Sequence, residues 1–118
     1  MSKVERIYEA INNLIADVKD AKLPCRAIII FGSIARGDYN HLSDLDLCVI
    51  HQDGLDEEQL LNAKVAIQKF ISDKVGGELE VNYVYCTMEN YRTGVSVFES
   101  IRTEGKILYE NLLGCCAG

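Results

Sequence analysis

Apolar residues recur every three or four positions near the start of the chain, at Val4, Ile7, Tyr8, Ile11, Leu14, Ile15 and Val18. That spacing predicts an amphipathic helix over residues 3–21, which Pro24 keeps from continuing. The pattern then changes. Ala27-Ile28-Ile29-Ile30-Phe31 is a continuous apolar run rich in β-branched residues, as in a strand buried on both faces, and Gly32-Ser33 breaks it. After a polar stretch to Ser43, Asp44 to Ile50 reads as a second strand. Asp53-Gly54 marks a turn, and Asp56 is placed to cap a helix that carries Leu60, Leu61, Ala63, Ile67, Phe70 and Ile71 and stops at Gly76-Gly77. Residues 79–86 predict a third strand. Val97, Phe98 and Ile101 predict a short helix ending at Gly105, and Lys106 to Tyr109 a last short strand.

The resulting order, α-β-β-α-β-α-β, predicts an α/β or α+β fold, a small sheet with helices packed on it. At 118 residues the expectation is a single domain over 1–118, with enough core to need no metal or disulfide staple. No apolar run approaches the length of a membrane span, and the opening Met1-Ser2-Lys3-Val4-Glu5-Arg6 has no export signal. Five cysteines cannot all pair within one chain. Cys25, Cys48 and Cys86 lie in apolar runs and read as small core residues, while Cys115 and Cys116 have no ligand spacing to another Cys or His. The expected setting is a reducing cytoplasm.

Charge narrows the partners. Twelve basic residues against 18 acidic ones leave a net charge of -6. Such a surface repels a phosphate backbone, so strong nucleic-acid binding is not expected. A small polyphosphate held with metal ions remains compatible.

The candidate chemistry lies in Phe31-Gly32-Ser33-Ile34-Ala35-Arg36-Gly37-Asp38 and Ser43-Asp44-Leu45-Asp46-Leu47. Asp44 and Asp46 are two apart on a predicted strand, so both carboxylates share a face, about 7 Å apart. They repel unless a cation such as Mg²⁺ lies beside them, and that ion characteristically takes one or two carboxylates plus phosphate oxygens. Gly32 lets the backbone approach a ligand, and Ser33 is expected to cap the next short helix, offering N–H groups and a hydroxyl to an anion. Other motifs fail: Asp38 stands where a P-loop needs Lys, and Val49 where an EF-hand loop starting at Asp44 needs Gly.

Gly32-Ser33, ten intervening residues, then Asp44-Leu45-Asp46 resembles the G-S-x10-D-x-D signature of the DNA polymerase β-like nucleotidyltransferase superfamily. The variant Gly-Ser-x-Ala-Arg-Gly-Asp, followed by Ser-Asp-Leu-Asp-Leu, is similar to the small prokaryotic minimal nucleotidyltransferases, and Thr103 to Glu110 resembles the way those proteins end. The resemblance implies a nucleotidyltransferase fold with a small mixed sheet. It implies that Gly32 and Ser33 hold the outer phosphates of ATP or another nucleoside triphosphate, with Arg36 nearby. It further implies that Asp44 and Asp46 bind two Mg²⁺ ions, and that an acceptor attacks the α-phosphorus and releases pyrophosphate. A third acid usual in the family falls on Asn82. Glu80, on the same strand face, is the candidate substitute. The acceptor site is expected to come from a partner or a second subunit, a homo-oligomer or a small helical HEPN-type protein paired as toxin and antitoxin. The competing expectation is a catalytically impaired nucleotide-binding module acting through protein–protein contacts.

His41 and His51 flank the acids but have no second ligand at metal spacing and read as surface histidines. Tyr83 and Tyr85 alternate with Glu80 and Asn82 and are expected to face the core, and Lys64, Lys69 and Lys74 to form the solvated side of their helix.

Overall fold

The structure, a computed structural model, describes residues 2–38, 44–77 and 79–111. The elements run α1 (Lys3–Val18), β1 (Ala27–Phe31), α2 (Gly32–Arg36), β2 (Leu45–Ile50), α3 (Glu57–Val75), β3 (Val81–Cys86), α4 (Met88–Thr93), α5 (Val97–Glu104) and β4 (Lys106–Glu110). The strands form one mixed sheet in the order β3-β2-β1-β4. β1 is antiparallel to β2 and β4, while β2 and β3 are parallel and are joined across α3. This is the mixed sheet with packed helices that the sequence predicts.

Each end of the two long helices has a local cause. Ser2 accepts a hydrogen bond from the Glu5 N–H at the start of α1. That helix stops at Val18, short of the predicted 21, because Lys19 and Asp20 bring no apolar group to its buried stripe of Ile7, Ala10, Ile11, Leu14 and Val18. Val4, Tyr8 and Ile15, counted as part of the periodicity, lie at the edge of that stripe and are exposed. Asp56 and Gln59 close a reciprocal capping box on α3, at 2.8 and 3.1 Å. Gly76 ends it, its N–H donating to the Ser72 carbonyl.

The continuous run at β1 is explained by burial on both sides of the sheet. Ile28 and Ile30 pack with Ile7, Leu14, Leu45, Leu47, Ile67 and Ile71 under α1 and α3. Ala27 and Ile29 join Cys48, Ile50, Cys86 and Ile101 on the opposite face, under α4 and α5. Burying each of the larger side chains contributes roughly 1.5–3 kcal/mol. Cys25, Cys48 and Cys86 are buried free thiols, as expected. The Sγ atoms of Cys48 and Cys86 lie 3.6 Å apart. Cys115, Cys116 and His41 fall outside the described residues.

Two features depart from expectation. Helix α4 is not predicted, since none of its residues is buried and apolar periodicity is therefore absent. It is held by a local cap, Thr87 with Asn90. The lysines of α3 are not uniformly solvated: Lys64 lies 4.6 Å over the Tyr85 ring, and Lys74 pairs with Asp17 of α1 at 3.1 Å. Tyr83 and Tyr85 do turn toward the α1–α3 core. They are partly buried and stacked on each other at 5.7 Å, with the Gln68 amide donating to the Tyr85 hydroxyl. Among the described residues no helix is long and apolar enough to cross a membrane.

Candidate functional site

The sheet register brings three separate segments to one place. Phe31, the last residue of β1, pairs with Asp46 of β2, and Asp46 pairs with Asn82 of β3. The residue after Phe31 is Gly32. One row across the sheet thus carries the end of β1, Asp46 and the amide, with Gly32 just beyond it and Asp44 just before β2.

Gly32 has φ +78°, a left-handed conformation that disfavours a side chain. A β-carbon there would collide with Asp46 Oδ2. Both facts require glycine. The turn starts α2 at Gly32 itself, with Phe31 as its N-cap residue and no side-chain cap. Ser33 is therefore inside the first turn and does not cap the helix, which corrects the sequence expectation. Its hydroxyl makes no hydrogen bond among the described residues, while its carbonyl accepts from the N–H groups of Gly37 and Asp38.

Asp44 and Asp46 are half-buried and alternate with the buried Leu45 and Leu47, as the two-residue strand period demands. Regular strand begins one residue later than predicted, at Leu45, whose N–H donates to the Glu80 carbonyl. The Asn82 amide nitrogen donates to Asp44 Oδ2 at 3.2 Å and to Asp46 Oδ1 at 3.1 Å. One donor group on two acids relieves part of their repulsion. Glu80 is exposed just before β3 and takes part through its main chain alone. The geometry therefore brings Asn82, and not the Glu80 carboxylate, against the acids. Among the described residues no cluster of three or more His, Cys, Asp or Glu side chains forms. Two carboxylates beside a glycine turn still suit Mg²⁺, which completes its shell with phosphate and water oxygens.

Arg36 closes α2. Its Nε donates to Asp38 Oδ2 at 3.1 Å and its Nη1 to Glu104 Oε2 at 2.8 Å. The Asp38 and Glu104 carboxylates hold its pKa above the ordinary value. Glu104 escaped sequence reading because it is 68 residues away and reaches Arg36 only through the packing of α5 on β1. Gly105 makes that packing possible: a β-carbon there would collide with the Ile29 side chain and the Ile101 carbonyl. His51 is half-buried past the far end of β2, roughly 17 Å along the strand from Asp46, with Nδ1 at 3.1 Å from the Gln52 carbonyl.

Comparison with known proteins bears on the family and the fold. The family model described as a nucleotidyltransferase domain matches residues 11–106. A crystal structure assigned provisionally to a nucleotidyltransferase from Sulfolobus solfataricus aligns with a TM-score of 0.52 at 19% identity, covering 94% of this chain and 89% of that one, and shares its fold. A toxin–antitoxin crystal structure with AMP-PNP aligns at 0.49 and 24% identity, covering 92% of this chain and 77% of that one. A structure provisionally described as a minimal nucleotidyltransferase aligns at 0.40 and 25% identity, covering 88% and 89%. No curated protein matches the sequence closely enough to count as a relative.

Proposed function

The chain belongs to the nucleotidyltransferase domain family, and from that footing we propose that it is a Mg²⁺-dependent transferase moving AMP from ATP to an acceptor on a partner protein. The observation that carries this reading is the meeting, at one end of the sheet, of Gly32 with Asp46 and of Asp46 with Asp44 across the Asn82 amide. Asp44 and Asp46 would hold the metal, which supplies positive charge to the triphosphate and to the leaving pyrophosphate. Gly32 and the Ser33 hydroxyl receive the outer phosphates, and Arg36, its guanidinium oriented by Asp38 and Glu104, stands at the far end of α2. An acceptor oxygen bonds to the α-phosphorus, the bond from that phosphorus to the β-phosphate oxygen breaks, and pyrophosphate leaves with the electron pair. The acceptor's proton passes to the partner or to solvent, since the Asn82 amide cannot take it. The protein's part is position and electrostatics.

Likeness of the Gly32–Asp38 and Ser43–Leu47 segments to minimal nucleotidyltransferases supports a small helical HEPN-type partner, with this chain as the antitoxin of a toxin–antitoxin pair. The free buried thiols suit a reducing cytoplasm. The test is transfer of label from α-labelled ATP to a HEPN-type protein encoded beside this gene, with pyrophosphate release in equal amount. No label on that partner, while ATP still binds, would sink the enzyme reading.

A second reading, a nucleotide-binding module without turnover, is favoured by one observation, the neutral Asn82 amide seated against both acids. Asn82→Asp separates the two. Gain of transfer in the variant alone assigns the natural chain to binding.

A further inference from the structure

The two carboxylates are not equivalent on their two sides. Asn82 Nδ2 reaches Asp44 Oδ2 and Asp46 Oδ1, one amide hydrogen for each. The opposite amide orientation would set Oδ1 against two anionic oxygens, acceptor to acceptor, so the nitrogen belongs there. Parallel pairing of Asp46 with Asn82 fixes the amide in this place. Asp46 Oδ2 is left on the other side, packed against Gly32. The pair thus turns toward Gly32 an oxygen with no hydrogen bond among the described residues, and toward β3 a hydrogen-bonded edge.

A divalent cation on the Gly32 side meets anionic oxygen and the phosphates that the turn admits. On the Asn82 side a cation meets the positive end of an amide dipole. To bind there it would have to break both hydrogen bonds and turn the amide over, gaining only a neutral oxygen. No third carboxylate among the described residues joins the pair to compensate. Two-metal sites hold their ions about 4 Å apart and need anionic ligands on both.

Resting on the reading of Asp44 and Asp46 as cation ligands, we propose that the site takes one divalent cation with its nucleotide, the Asn82 amide standing where a second would be held. The single cation serves the triphosphate and the leaving pyrophosphate. Activation of the acceptor, which a second cation supplies in two-metal sites, then falls to the partner or to solvent.

The test is Mn²⁺ titration of the full chain with an α,β-methylene ATP analogue, with bound ion counted by electron paramagnetic resonance. One tightly bound Mn²⁺ per chain is expected in the wild type and in Asn82→Ala, which removes the donor without adding charge. Asn82→Asp should add a second, or tighten a weak second site by at least about tenfold, with a spin–spin coupling signature of two nearby ions. Two tight Mn²⁺ ions in the wild type would overturn the inference while leaving the metal-site reading intact. Mn²⁺ bound no better by the wild type than by an Asp44→Asn/Asp46→Asn variant would overturn both. Should Asn82→Asp not fold, the wild-type and alanine counts decide alone.

Discussion

Gly32 and Asp46 are locked against each other: the α-carbon of Gly32 leaves no room for a β-carbon beside Asp46 Oδ2. Gly32→Ala must therefore accept a left-handed backbone and push the carboxylate aside. The strain alone costs about 1–3 kcal/mol, and Mg-ATP affinity should fall by at least about tenfold. Gly37→Ala is the control, because φ there is +84° but the space around it is open. It should lower the melting temperature comparably and leave nucleotide affinity nearly unchanged. Equal loss of affinity in both variants would show that strain, not the collision, is what matters.

Asp44→Ala and Asp46→Ala should each lower transfer by at least about 100-fold. Both side chains are half-buried and face a like charge, so urea unfolding should shift by less than about 1 kcal/mol. Measuring both separates a lost ligand from a lost fold.

Ser33→Ala and Arg36→Ala should weaken ATP more than AMP. The Ser33 hydroxyl is without a protein partner among the described residues, and Arg36 lies one helical turn beyond it. Calorimetry with the two nucleotides gives the ratio. Glu104→Gln, which keeps a hydrogen-bond acceptor for Arg36, should retain more of that ratio than Glu104→Ala, and neither should move the melting temperature much because the pair is solvent-screened.

The protein should lose stability as pH rises above 9. Burial pushes the Cys25 thiol from 9.0 up to about 12. Burial, and then the neighbouring Tyr85, raise Tyr83 from 10.0 to about 12. In both cases the unfolded chain releases its proton first, so the stabilisation is whole below the unfolded pKa and drains away toward pH 12. Each group contributes up to about 1.4 kcal/mol per pH unit within its window. Cys25→Val should flatten the slope between pH 9 and 10, which urea titrations at stepped pH would reveal.

Most of the sheet was legible because its strands obey short-range rules. Ala27 to Phe31 carries its own burial in five successive apolar residues, and Asp44-Leu45-Asp46-Leu47 writes the alternation of β2 directly. Gly32 and the acids were legible for the same reason, as a turn and a face. What stayed hidden depends on contact across the fold. The Arg36–Glu104 pair needs α5 seated on β1, and α4 has no buried residue to announce it. The role of Asn82 depends on parallel register, which is set by the crossover through α3 and is silent in local sequence. The Ser33 expectation failed by two residues: the helix starts at Gly32 with Phe31 as its N-cap residue, and the left-handed backbone of the glycine is invisible to a rule that looks for a serine cap.

β3 is an edge strand, bonded to β2 on one side only. Asn82 reaches the acids solely because that single ladder is closed, so fraying of β3 would withdraw the amide and leave Asp44 and Asp46 facing each other bare. Local opening at the edge and occupancy of the site are therefore thermodynamically linked: a ligand that requires the closed row holds the strand shut. Slowed hydrogen exchange at the β2–β3 ladder, in amides that touch no nucleotide, is the form in which that linkage would be felt, and it makes the rim of the sheet a reporter on its functional end.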